Sequence, residues 1–182
     1  MSARLRLVTE PVPGSTIRDF VEAMSALASG VTIVTCRHEG RPWGVTVSAF
    51  ASVSIDPPTV LVSLASDGTA ARAIERTQRY GVSILAEDQL GVACYGSVPG
   101  EPKFLESVVG PGDGSYAVAG ALAHLECEVC DDIGVADHTV FFGRVLSARS
   151  FREGKPLVHH RRDYRALATY RPTERGTTWV VN

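Results

Sequence analysis

The sequence predicts a mainly β protein, an antiparallel sheet closed into a barrel with short flanking helices. Three observations carry this. About six or seven segments have the composition and alternation of strands, against three short helical ones. The strand-like segments mostly follow one another directly, which disfavours the β-α alternation of a parallel sheet. Finally, residues 45–55 alternate without a break: Val45, Val47, Ala49, Ala51, Val53 and Ile55 are apolar, whereas Thr46, Ser48, Phe50, Ser52 and Ser54 supply hydroxyls and one aromatic ring. An extended chain turns successive side chains to opposite faces, so one strand with an oily face and a hydroxyl face is expected here.

The elements follow in order. Residues 1–14 hold charges, two prolines and a glycine and are expected to form a flexible arm. Ser15 or Thr16 can cap a helix through Ile17, Phe20, Val21, Met24 and Leu27, whose spacing predicts one buried stripe, and Gly30 ends it. VTIVTCR (31–37), a turn at residues 38–42 and the hydroxyl strand read as a β-hairpin. After Asp56-Pro57-Pro58 comes the strand TVLVSLA (59–65), then Ser66-Asp67-Gly68-Thr69 and the helix ARAIERTQ. YGVSILA (80–86) is a strand, Glu87 to Tyr95 a short helix, and residues 96–120 a long irregular loop around Lys103-Phe104. Strands are expected near 121–131 and 138–149, separated by residues 132–137. A turn or strand follows at 163–167, and a last strand in TTWVVN (177–182). The domain is placed at 15–168, with 169–182 as a C-terminal extension.

A chain of 182 residues has room for one domain with a real core. Its net charge of −2, with acidic and basic residues interspersed, argues against a nucleic-acid partner, and His159-His160-Arg161-Arg162 is too small a basic cluster to change that. No apolar run is long enough for a membrane span, and the N-terminus lacks the apolar core of a signal peptide, so a cytoplasmic location is expected. Cys36, Cys94, Cys127 and Cys130 are then reduced thiols. Cys127 and Cys130 form a CxxC, but on a strand they face opposite sides and nothing completes a zinc site. No metal is expected.

Two places suggest chemistry. A strand running through Ser66-Asp67-Gly68-Thr69 into a helix offers unpartnered backbone N–H groups that attract phosphate. Ser66 or Asp67 would cap that helix, Gly68 would let a ligand approach, and Thr69 would add a hydroxyl. A plain capped helix start is the competing reading, and the Asp67 carboxylate counts against phosphate unless it points away. Hydroxyls at Thr46 and Ser48 on the neighbouring strand favour a planar, polar-edged ligand with a phosphate tail. Ser52 and Ser54 are expected merely to bond nearby backbone. The second place is histidine. His138 opens a strand beside a loop, and the His159–Arg162 run can donate to amide and phosphate oxygens. His38 and His124 read as structural or exposed imidazoles. No nucleophile elbow, P-loop or zinc-protease motif occurs, so a cofactor is expected to carry the hard step.

The segments ALASGVTIVTC, GRPWGVTVSAFASVSIDPPTVLVSL, SILAEDQ, ADHTVFFGRV and EGKPLVHHRRDYRAL, in this order, resemble the short-chain flavin reductase family from about Phe20 to Leu167. The resemblance implies an FMN-binding split barrel, an antiparallel Greek-key barrel with short flanking helices, dimeric with flavin near the subunit interface. It implies NADH- or NADPH-dependent reduction of FMN or FAD, with reduced flavin diffusing to a partner monooxygenase. Val45, Thr46, Val47 and Ser48 would meet the flavin ring. Ser63, Leu64, Ala65, Ser66 and Thr69 would follow the ribityl chain to the phosphate, and Lys103 and Phe104 would close over it. His138, His159, His160, Arg161 and Arg162 would contact the nicotinamide nucleotide. No residue is expected to act as acid or base, His138 being the nearest candidate. Relatives carry an Asn near Ala65 and a longer Ser-rich turn that this chain lacks. A barrel that keeps its flavin and acts on another small molecule, or a non-catalytic flavin-binding module, stays open.

Overall fold

The structure, a computed structural model, describes residues 16–101, 103–105, 108–109 and 116–168. The N-terminal arm, the Ser15 cap, the C-terminal extension and its terminal strand lie outside these residues. In chain order the elements are α1 (Ile17–Ser25), β1 (Ser29–Gly30), β2 (Thr32–His38), β3 (Arg41–Val47), β4 (Phe50–Ile55) and β5 (Pro58–Ala65). Next come α2 (Thr69–Thr77), β6 (Arg79–Ile84), α3 (Leu90–Ser97), β7 (Val108–Val109) and β8 (Ala117–Val118). The chain finishes with β9 (Ala123–Val135), β10 (His138–Ser150), β11 (Leu157–His160) and β12 (Asp163–Ala166).

Seven strands form one antiparallel sheet in the order β3-β2-β6-β9-β10-β5-β4. The two end strands, β3 and β4, are consecutive in the chain and joined only by Ser48 and Ala49. The sheet therefore curls until its edges approach, and the Ser63 N–H bonds the Ala49 carbonyl at 3.0 Å, carrying the β4–β5 ladder up to that junction, the seam. Closure removes the exposed edge that an open sheet must otherwise protect. β5 and β6 are not neighbours, and α2 spans between them over one end of the barrel. A small sheet, β1-β11-β12, lies outside.

Sequence and packing agree best in β2. Val34 and Cys36 point into the barrel core with Val62, Tyr80, Val82 and Phe141, under a lid of Ala70, Ala71, Ala73 and Ile74 from α2. Ile33 on the opposite face joins a second core with Val31, Leu85, Ala93, Leu105, Val118 and Leu157. Both faces of the strand are covered, so it reads as a nearly unbroken apolar run.

Four expectations are corrected. The hydroxyl strand breaks at Ser48–Ala49, because the chain there changes from one edge of the sheet to the other. Beyond the break the odd positions are not buried: Val53 is 49% and Ile55 91% exposed, and a bulge falls between Ser52 and Ser54. Thr16 caps α1 through a reciprocal pair with Asp19, but among the described residues the stripe it carries is left exposed, with Phe20 65% and Met24 49% exposed. Residues 132–135 extend β9, leaving only Ala136 and Asp137 as the turn, and β11 is a strand the sequence did not announce.

Candidate functional site

A cavity of about 580 Å³ opens at the α2 end of the barrel. One wall is β3, which sends Trp43 and Val45 to this side. Another is the end of β5, Leu64 and Ala65, running into Gly68 and the start of α2. Gly100, Glu101, Lys103 and Phe104 close the third side. They are held there because the Gly44 N–H bonds the Lys103 carbonyl at 2.9 Å, and the Leu105 N–H bonds the Pro42 carbonyl at 3.1 Å. Leu105 then packs against residue 44, where a Cβ would lie 2.3 Å from its Cδ1, so only glycine fits. Sequence alone placed Lys103 and Phe104 in an irregular loop; the structure ties both to the rim of β3.

The start of α2 has no side-chain cap. Its N-cap is Gly68, and neither Ser66 nor Asp67 takes the role expected of it. The Ser66 hydroxyl is 2.9 Å from the Thr139 hydroxyl, its N–H bonds the Asp137 carbonyl, and Asp67 is exposed yet belongs to the cavity lining, so its carboxylate counts against a phosphate there. The Gly68 N–H turns back to the Ala65 carbonyl at 2.9 Å, and the Arg72 N–H is the first of α2 to reach a carbonyl within the turn, at 3.2 Å from Gly68. Thr69, Ala70 and Ala71 line the cavity at the positive end of the helix. With Lys103 opposite and the apolar Val45 and Leu64 beside them, they fit a flat group that carries a phosphate.

A second cavity of about 170 Å³ lies on the other side of β3, lined by Val31, Thr46, Val47, Ser48, Ser97, His159 and Tyr164. Strand alternation thus divides the expected ring contacts. Val45 lines the larger space and Thr46, Val47 and Ser48 the smaller one, rather than all lining a single wall. The Thr46 hydroxyl donates to the Ala93 carbonyl at 2.7 Å, fixing α3 to β3. Ser48 is exposed at the seam, next to Ala49, whose carbonyl is bonded by the Ser63 N–H. From the start of α2, Ala65, Leu64 and Ser63 therefore form a continuous track to Ser48 and the smaller cavity.

The histidines occupy two different sheets. His138 opens β10 opposite Ala65, and its Nδ1 lies 2.8 Å from an Asp137 carboxylate oxygen. That hydrogen bond holds the Asp137 carboxyl below the usual carboxylate range. His159 packs edge-on to Tyr164 at 5.6 Å in the small sheet. His160 pairs with Asp163 across a turn made by Arg161 and Arg162, both with positive φ, 51° and 61°. The Arg161 N–H bonds the Ser25 carbonyl at 2.7 Å, so the turn is tied to the end of α1.

His124 is a core histidine, buried with Nδ1 3.0 Å from the Ser83 hydroxyl, as expected. His38, read as structural or exposed, instead lines the larger cavity together with Glu39 and Trp43. The signal was present in the hairpin: a tight turn at Glu39-Gly40 sets His38 opposite Arg41, diagonal to Trp43. Cys127 is buried and Cys130 exposed, as strand alternation requires, and no metal-holding cluster occurs among the described residues.

Residues 24–168 match the flavin reductase like domain. The chain is 35% identical over 164 residues to the reductase component of a 4-nitrophenol 4-monooxygenase/4-nitrocatechol 2-monooxygenase from Rhodococcus opacus, covering 90% of this chain and 88% of that one. It is 39% identical over 150 residues to an NADH-dependent flavin reductase from a Rhodococcus species, covering 80% and 84%. The styrene monooxygenase flavin reductase of Pseudomonas putida S12 superposes with a TM-score of 0.76 at 31% identity, over 84% of this chain and 99% of that one. By sequence and by fold, this chain belongs to the flavin reductase family.

Proposed function

We propose that this protein is the reductase of a two-component system, using NADH to reduce FMN or FAD that then leaves for a partner monooxygenase. The observation that carries this reading is the uncapped start of α2 facing Lys103 across a cavity walled by Val45 and Leu64. Flavin bound there supplies the hydride-accepting ring nitrogen; the chain supplies proximity and orientation. The first-turn amides of α2 and the Lys103 ammonium hold the phosphate. Leu64 and Ser63 carry the chain of the ligand toward the seam, where the backbone and hydroxyl of Ser48 and the backbone of Ala49 meet its polar edge. Neutral donors satisfy that edge without fixing one redox state by a full charge. His159, His160, Arg161, Arg162 and His138 hold the nicotinamide nucleotide.

The site is expected to be completed by a second copy. Ile17, Phe20 and Met24 on α1, Leu27 just after it, and Val53 and Ile55 on β4, are large apolar side chains exposed in the single chain. A homodimer that buries them sets the seam and the α1-tethered Arg161 turn near the subunit boundary. No helix among the described residues is long and apolar enough to cross a membrane. The reduced cysteines and diffusible product suit the cytoplasm.

The test is steady-state oxidation of NADH with FMN and FAD varied in turn. Acceleration only when flavin is added supports the proposal. Turnover without added flavin moves the reading to a resident-flavin enzyme acting on another small molecule, and no acceleration with either flavin refutes it.

A further inference from the structure

The larger cavity is longer than the proposed phosphate and ring positions require. β3 runs from its hairpin turn to the seam, and the proposed ring lies at the seam end. Beyond the start of α2, on the hairpin side, the lining changes character: His38, Glu39, Trp43, Glu101, Lys103 and Phe104 gather there. Trp43 stands two residues farther from the seam than Val45, about 7 Å of extended strand. Three rings are packed at this end. Trp43 meets Phe104 edge-on at 5.0 Å and His38 at 5.2 Å, while His38 and Phe104 lie within 24° of parallel at 6.1 Å. The Arg41 guanidinium covers a face of Phe104 at 3.9 Å from the ring centre and keeps it in place.

We infer that this aromatic end receives the adenylate of FAD, so that the protein prefers FAD to FMN. The inference rests on the flavin site proposed above and specifies its substrate. Rings that project into a cavity beyond a phosphate position suit a purine, which binds by stacking. Lys103, between the rings and α2, faces the second phosphate that FAD has and FMN lacks. The Glu39 and Glu101 carboxylates offer acceptors for the ribose hydroxyls and the adenine amine. With FMN, His38, Glu39 and Trp43 make no contact with the ligand.

Calorimetric titration of the purified protein with FAD and with FMN, without NADH, is the test, repeated for His38→Ala and Phe104→Leu. Wild-type protein is expected to bind FAD about tenfold more tightly than FMN, and both variants to bring that ratio close to one. Equal affinities, or tighter FMN binding, in the wild type overturn the inference whatever the variants do. So does a ratio that both folded variants preserve. If His38→Ala raises the KM for NADH and leaves the flavin ratio unchanged, the rings read the adenine of NADH and the inference fails. If neither flavin binds, the flavin site itself is misplaced, a result distinct from a lost preference.

Discussion

Substitution of Gly96 by alanine tests how α3 is fastened to the strand that separates the two cavities. Gly96 is buried in α3, and a Cβ built there would lie 2.4 Å from the Thr46 hydroxyl, 3.0 Å from the Thr46 backbone nitrogen and 3.0 Å from Ile33 Cδ1. The Thr46 hydroxyl cannot simply rotate away without giving up its bond to the Ala93 carbonyl. Losing that bond costs about 0.5–1.5 kcal/mol, and overpacking a filled interior adds about 1–3 kcal/mol. Alanine returns about 1 kcal/mol through its better helix propensity. The net expectation is a loss of about 0.5–3.5 kcal/mol, read as a lower midpoint in urea with an unchanged slope. The double variant Gly96→Ala, Thr46→Ala removes the obstructing hydroxyl, so it should lose less than the sum of the two single changes. A Gly96→Ala protein as stable as the wild type, or a strictly additive double variant, would refute this account of the α3–β3 contact.

Four further outcomes are expected. Gly68→Val places a Cβ 2.9 Å from the Ala65 carbonyl oxygen and disturbs the turn that aims the start of α2; flavin affinity, measured by fluorescence titration, should fall at least about tenfold while the fold persists by circular dichroism. Lys103→Glu places a carboxylate beside the proposed phosphate position, and should raise the apparent KM for flavin much more than that for NADH. Burial lowers the pKa of His124 from its usual 6.5; the folded state thus resists protonation, so its contribution is complete above that value and declines as pH falls below it. Urea midpoints of His124→Gln should accordingly drop less between pH 7.5 and about 5.5 than those of the wild type, and parallel profiles would contradict this. Phe20→Glu on α1 should convert the proposed dimer to a monomer in analytical ultracentrifugation, and a dimer that survives it would move the interface away from α1.

Much of the fold was legible because local and global signals coincide. Strand β2, the strand 59–65 and helix α2 were announced by alternation and an apolar stripe and were found within a residue or two, whereas β3 begins at Arg41, inside the expected turn. What was not legible depends on geometry that alternation does not encode. The run from Val45 to Ile55 alternates perfectly, yet it serves two edges of one barrel, and nothing in its pattern marks Ser48–Ala49 as the crossing. The apolar faces of α1 and β4 promise burial but not against what, since a stripe meant for another molecule reads like one meant for the core. In the site, Lys103, Phe104, Thr69, Leu64 and Ala65 line one cavity. His38 and Trp43 were missed because their role arises from the register of a hairpin and not from any motif.

The junction of Ser48 and Ala49 is the clasp of a hoop, and it carries two duties on one short piece of chain. Lengthening it would loosen the whole cylinder as well as the ledge beside it, so variation among proteins of this shape has to be accommodated elsewhere. Lys103 and Phe104 are clipped to their strand at only a few points, at the far end of the cleft. The sequence can change there without unfastening the barrel.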